Sequence, residues 1–592
     1  MRYFIVILLT LVAVGCNSES ADDQVPNYFT VFENSKGKAT ATYQETLDFY
    51  IKLAKDFPEI SIQVIGDTDS GFPLHIVTYN PDGDFNFQNL QKEKTLVLIN
   101  NGIHPGESDG IDASMLLFRD LATDKINAPK NVVLVTIPIY NIGGALNRNS
   151  TTRANQNGPE SYGFRGNAQN YDLNRDFIKA DTKNAETFAK IFHLVKPDIF
   201  IDTHVSNGAD YQYTLTHLFT QHNKLGGELG DYLQDKMIPE LERRLESSGW
   251  PITPYVNVFN RPPENGFSQF MDYPRYSTGY TTLWNVLGMM VETHMLKPYD
   301  QRVKGTYALL DQMVQIAEEE HDNIKALREK SNEQIKKAPV YHMNWKIDST
   351  RTTTRPFLGF EVDTLKSEVT GLNRLKYDHK KPFTQDIVYY NYFSPTDTVE
   401  VPAAYIIKKG WQAVIERLQQ NQIDYTQLDK DTVLQIESYK IQSYATRKSP
   451  YEGHYLHYNT KVNAEVKNMK FSQGDYVVST NQIGIRYLLE TLEPNAPDSF
   501  FNWNFFDPIL QQKEGFSPYV FEDIALELLT KNEKLRDSFL LKKETDQAFS
   551  KNWYAQLNWV YKKSPHYESA HLQYPVYRVL RNTKAAEVLE LD

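Results

Sequence analysis

The chain has 592 residues, about twice the ~250–300 at which one hydrophobic core stops growing, so more than one domain is expected. Its net charge of -12, from 63 basic and 75 acidic residues, offers no electrostatic reason to seek nucleic acid. One cysteine in the whole chain excludes an internal disulfide and any thiolate metal site built by this chain alone, whereas 14 histidines remain as ligands.

At the amino terminus Arg2 precedes an apolar run over residues 3–14, followed by Gly15 and Cys16. The run is too short to span a bilayer as a mature helix and reads as a secretory leader. The tail Ala13-Val14-Gly15-Cys16 resembles a bacterial lipobox. That resemblance implies a leader over residues 1–15, acylation at Cys16, and a body facing the periplasmic or extracellular side of the envelope. The polar stretch over residues 16–34 is expected to be a tether.

Apolar residues Leu47, Tyr50, Leu53 and Phe57 fall on one helical face over 40–57. Strands are expected at 61–65 and 74–78, around the turn residues 67–71. The short apolar runs 95–99, 132–137 and 199–201 read as buried strands, and helices are expected at 109–121 and 182–195. This alternation predicts an α/β domain: a mixed central sheet with helices on both faces. One long amphipathic helix is expected over 305–332, and a boundary near 335–345. Beyond it strands and helices mix without a repeat, so an α+β region is expected over 336–592. Its aromatic run at 499–508 reads as core in preference to a sugar-binding platform.

Chemistry enters just after the strand at 95–99, in His104-Pro105-Gly106-Glu107. A histidine and a carboxylate three apart close on one ion if the chain turns between them, and Pro105-Gly106 permits that. Asp202-Thr203-His204 ends the strand at 199–201 and offers a third ligand, since neighbouring strand ends converge on one crevice. His, Glu and His with a free fourth position is the composition of a catalytic zinc site. Glu292 follows the apolar run 286–291, where a carboxylate is costly. It is the candidate general base; the plain alternative is pairing with Arg302 or Lys297. In residues 170–177, Asp172 can accept a hydrogen bond from the first histidine ligand, and Asn174 with Arg175 offers donors to a carboxylate. One of Arg148, Arg153 and Arg165 is suited to hold an oxyanion.

These motifs occur in the order and spacing of the zinc carboxypeptidases, which residues 35–320 resemble. The resemblance implies one Zn2+ on His104, Glu107 and His204, with Glu292 as general base and acid. It implies Asp172 behind the first histidine and Asn174 and Arg175 on the substrate's terminal carboxylate. Arg165, favoured over Arg153, is implied at the oxyanion. Tyr276 is implied as the tyrosine that folds over substrate, with Tyr273 and Tyr280 as alternatives. The implied catalytic domain covers 35–335, and the implied activity is release of C-terminal amino acids by Glu-assisted attack of zinc-bound water. The sequence departs from the family at Gly106, where an arginine is common, so one substrate-side charge is missing. Two other readings stay open: a cell-wall peptide or other amide hydrolase on the same zinc site, and a catalytically inactive binding lipoprotein. The last predicts a lost ligand or a lost Glu292, and neither is lost.

Overall fold

The computed structural model describes residues 28–590. The apolar leader, Cys16 and residues 17–27 of the expected tether lie outside them. The first half carries β1 (Ile60–Asp67), β2 (Pro73–Tyr79), β3 (Thr95–Asn100), β4 (Val132–Ile137), β5 (Ile199–Ser206), β6 (Leu215–Phe219), β7 (Ile252–Pro254), β8 (Phe267–Ser268) and β9 (Leu287–His294). All but β8 join one mixed sheet in the order β1-β2-β4-β3-β5-β9-β6-β7. Its centre, β4-β3-β5-β9, is parallel, and antiparallel pairs flank it. β3, β4 and β5 are buried along their whole length. Both faces of the central sheet are covered, which is why these strands read as unbroken apolar runs and not as alternation.

Helices flank the sheet at Tyr43–Asp56, Asp109–Ala122, Lys183–Val195 and Tyr299–Glu319. Their starts follow from local chemistry. Thr42 and Glu45 form a reciprocal capping box, and the Thr182 side chain accepts from the Ala185 amide, each satisfying an orphan N–H of a first turn.

Two expectations need correction. The long helix over 305–332 is two helices, Tyr299–Glu319 and His321–Lys337, which meet at Glu320 with φ -101° and ψ 13°. No Gly or Pro marks the break, and His321 is held there by Thr95 at the start of β3, Nδ1 to Oγ1 at 2.8 Å. The tether does not reach residue 34. Thr30 and Glu33 form another capping box, Phe32 is buried, and Glu33 pairs with Arg119 at 2.6 Å.

The second half holds a long hairpin, Thr353–Lys366 with Asn373–Tyr390. It also holds a six-stranded sheet that includes a second long hairpin, Thr432–Thr446 with His457–Phe471. The two halves interlock. Tyr389 and Tyr390 of the first hairpin pair with β8, and Trp284 stacks on Tyr487 with ring centroids 5.9 Å apart. Phe500, Phe501, Trp503 and Phe506 are fully buried, so the aromatic run is core. A division into 35–335 and 336–592 is our proposal for how the chain is organised; the hydrophobic core is continuous across it.

Candidate active site

The site forms at the C-terminal ends of β3, β5 and β9. After β3, Gly102 takes φ 67°, a left-handed conformation that glycine adopts without steric cost. The chain then folds back so that the Glu107 amide donates to the His104 carbonyl at 2.7 Å. That turn brings His104 and Glu107 to the same point. His204 lies near the end of β5, and Glu292 is its register partner on the parallel neighbour β9. Paired residues on adjacent strands project to the same face, so the carboxylate stands beside the histidine. Arg302 pairs with Asp109 at 2.9 Å and the Lys297 amine donates to the Tyr211 carbonyl at 2.6 Å; neither is the counter-ion of Glu292.

His104, Glu107 and His204 are buried, and one ligand atom from each lies within 4.8 Å of the others. The histidines are oriented alike. Nδ1 of His104 is 3.3 Å from Glu107 and Nδ1 of His204 is 3.2 Å from it. Each Nε2 is committed outward, to Asp172 at 3.0 Å and to Asp202 at 2.8 Å. A carboxylate on Nε2 fixes the tautomer that leaves Nδ1 free as a donor to metal and makes that donor more basic. Two imidazole nitrogens and one carboxylate, each backed in this way, fit a zinc ion with a further coordination position.

The field at the site is strongly divided. Burial raises the pKa of Glu107, but Arg153 and the two histidines outweigh it and hold that carboxylate well below its usual range. Burial lowers His204, yet Asp202 and Glu107 raise it well above the ordinary imidazole value. Glu292 goes the other way. Burial pushes it up to about 7, with the charges of Glu107 and Asp202 adding to the effect against His204 and Arg165. Adjacent carboxylates with opposite shifts mark a division between ligand and proton carrier.

A cleft of about 330 Å3 opens over these groups, and Arg153, Arg165, Asn174, Arg175 and Tyr276 line it. Arg148 does not; it is tied to the Ala41, Thr40 and Ser161 carbonyls. Arg165 is fixed by Asp172, with Nε at 3.0 Å and Nη2 at 2.8 Å, while its Nη1 points back to His104 Nδ1 at 3.3 Å. The charge missing at Gly106 is supplied from elsewhere. A Cβ on Gly106 would stand 2.7 Å from Cδ of Arg153, and Arg153 Nη1 lies 2.8 Å from Glu107. The space that a side chain at 106 would need is taken by a cation from a later loop.

Asn174 and Arg175 sit on a short 3-10 turn, Leu173–Arg175. The Arg175 guanidinium lies over the Tyr276 ring, 4.5 Å from its centroid, and the Ser277 amide donates to the Asn174 side-chain oxygen at 3.1 Å. Tyr273 and Tyr280 do not line the cleft; Tyr280 is in the core, its hydroxyl 2.6 Å from Asn421. His294 bonds to Asp210 at 3.0 Å. A larger cavity of about 1040 Å3 lies around Asp198, Lys325 and Trp284 and contains none of the residues above.

Sequence reasoning missed two contributors and one partner. Asp202 stood in the motif that yielded His204, two residues before it, and alternation along a strand could have paired them. Arg153 was named as an oxyanion candidate, but its pairing with Glu107 carried no sequence signal. Tyr255 lines the cleft from an irregular segment that has no periodicity to read.

A buried His–Glu–His set with a separate carboxylate beside it, at the ends of parallel strands, defines a metal-dependent hydrolase. Residues 46–196 match the family described as zinc carboxypeptidase. The chain is 21% identical over 489 residues to carboxypeptidase 2 of Trichophyton rubrum, covering 79% of this chain and 84% of that one. It is 22% identical over 432 residues to carboxypeptidase 2 of Trichophyton equinum, covering 69% and 73%. A similarity spanning 79% of 592 residues cannot fit within 35–320, so it runs into the second half. Among solved structures, carboxypeptidase A of Helicoverpa armigera has a TM-score of 0.35 at 12% identity, covering 49% of this chain and 73% of that one. The metallo-carboxypeptidase of Burkholderia cenocepacia has a TM-score of 0.34 at 14% identity, covering 46% and 68%. Residues 46–196 therefore carry a zinc carboxypeptidase domain, and together with the buried His–Glu–His set this makes the protein a zinc metallocarboxypeptidase-type hydrolase.

Proposed function

We propose that the enzyme releases the C-terminal amino acid of peptides. The observation that carries this reading is the shared cleft: Arg175 and Asn174 face the same space as His104, Glu107, His204 and Glu292. A cation there serves a substrate that ends in a carboxylate. His104, Glu107 and His204 would hold the ion, which supplies Lewis-acid polarisation of the scissile carbonyl and acidifies a water.

The chain's own groups do the rest. The Asn174–Arg175 turn docks the free carboxylate and sets the register of the peptide, with Tyr276 against the guanidinium. The Glu292 carboxylate takes a proton from the attacking water and returns it to the departing nitrogen. Arg165, held by Asp172, donates to the carbonyl oxygen as it gains charge; Arg153 adds a second positive charge at the same end. Met290 and Leu218 are register partners and both line the cleft. They give the pocket an apolar floor suited to an apolar terminal side chain.

The test compares two peptides that differ only in a free or an amidated C-terminus. Cutting confined to the free form is the expected result, and equal cutting of both would overturn the reading. Arg175→Ala should raise KM for the free form by about 10–100-fold, the loss of one charge-assisted pair at roughly 1.5–3 kcal/mol, with a smaller change in kcat.

We further propose a lipid anchor at Cys16 and an envelope location, on the leader and lipobox of the sequence. Cys16→Ala should abolish fatty-acid labelling and move the protein from the membrane to the soluble fraction. Unchanged labelling would refute the anchor.

A further inference from the structure

We propose that the second half of the chain holds the carboxylate-docking turn in its working position, with Glu452 as a positioning residue. This rests on the carboxypeptidase reading for what the turn does. The contact itself stands on geometry.

The turn needs outside support. Leu173–Arg175 is three residues long, and Asn174 within it departs from helical geometry at φ -78° and ψ 21°. Its hub is Asp172. One carboxylate oxygen meets His104 Nε2 at 3.0 Å and the Asn174 amide at 3.0 Å, the other holds Arg165, and the Asp172 carbonyl accepts from the Arg175 amide at 2.9 Å. A shift of Asp172 therefore moves both a zinc ligand and the docking pair.

The amide of Asp172 donates to the Glu452 carboxylate at 2.9 Å, across 280 residues of sequence. Glu452 sits in the loop between the hairpin strands Thr432–Thr446 and His457–Phe471. The loop is closed by reciprocal bonds between Tyr451 and His454 at 2.7 and 3.1 Å, which leaves Glu452 and Gly453 at its tip. The tip is pressed onto the first half: a Cβ on Gly453 would stand 2.8 Å from the Tyr171 hydroxyl. His454 bonds to Asp181 at 2.7 Å. Arg417 donates to the Lys179 and Ala180 carbonyls, both at 3.1 Å. The docking tyrosine is gripped from the same side, since Arg275 beside Tyr276 pairs with the buried Asp498 at 2.7 Å. Burial raises the Glu452 carboxyl pKa, and the neighbouring charge of Asp172 raises it further.

The experiment uses the full zinc-loaded chain. Glu452→Ala removes the acceptor. Glu452→Gln keeps an oxygen for the Asp172 amide. Glu452→Met keeps the length without an acceptor and replaces the alanine variant if that variant does not fold. The expected result is a rise of about 10-fold in KM for a peptide with a free C-terminus, with kcat less affected. Zinc affinity, read by competition with a chromophoric chelator, should fall several-fold, and the glutamine variant should stay within about twofold of the parent in both readouts. Parental KM and zinc affinity in Glu452→Ala would overturn the proposal, as would equal impairment of the alanine and glutamine variants. If the parent cuts no carboxylate-terminated peptide, the carboxypeptidase reading fails, while the zinc competition still decides the brace.

Discussion

Glu292→Gln is expected to lower kcat by about 10²–10⁴-fold with KM within a few-fold of the parent and zinc content unchanged. Glutamine keeps the size and a hydrogen-bonding oxygen but cannot take up and return a proton. Because Glu292 lies outside the His–Glu–His set, metal loading should survive, and a loss of zinc would show that the residue acts as a ligand instead. The same substitution has a stability signature of opposite sign. In protein stripped of metal by a chelator, the native carboxyl titrates at about 7 against 4.5 for the ordinary group. The folded state therefore binds more protons than the unfolded state between those values, and stability falls as pH rises through that window. Above pH ~7 the penalty is complete, at most roughly 3–4 kcal/mol. Glu292→Gln removes it, so the stripped variant should melt higher than the stripped parent at pH 8 and equal to it near pH 4. Melting curves at the two values check this, and a variant less stable at pH 8 would contradict it.

How far the sequence alone led depended on whether a residue's role follows from its neighbours in the chain. The core strands were legible because burial on both faces demands unbroken apolar runs, as at β3 and β4. The candidate ligand set was legible because a strand end with a tight turn puts His104 and Glu107 on one point, and an adjacent strand end adds His204. The helix break at Glu320 was not legible, because it is imposed by packing and has no residue signal. The role of Arg153 was not legible either: its guanidinium reaches Glu107 46 residues away, and a gap left by Gly106 is invisible without the fold. Glu452 is the extreme case. No local pattern connects a loop tip in a late hairpin to the amide of Asp172, and the second half of the chain gave no hint that it touches the site.

Chelation of zinc should abolish activity, and one equivalent of Zn2+ should restore it. The argument concerns protons as well as metal. Asp202 and Glu107 raise His204 well above the ordinary imidazole range in the protein alone, which favours a protonated ring before zinc binds. An imidazole must lose that proton to act as a ligand. Zinc binding at pH 7 should therefore release about one proton, and affinity should rise about tenfold per pH unit while His204 stays protonated. Titration calorimetry in two buffers of different ionisation enthalpy measures the release. Asp202→Asn removes the larger of the two influences that raise His204, so the proton release at neutral pH should shrink. Zinc affinity should also fall, by about 10–100-fold, as the tautomer and orientation of the ligand loosen. An unchanged proton release in Asp202→Asn would mean that the proton comes from another group, with Glu292 the next to test.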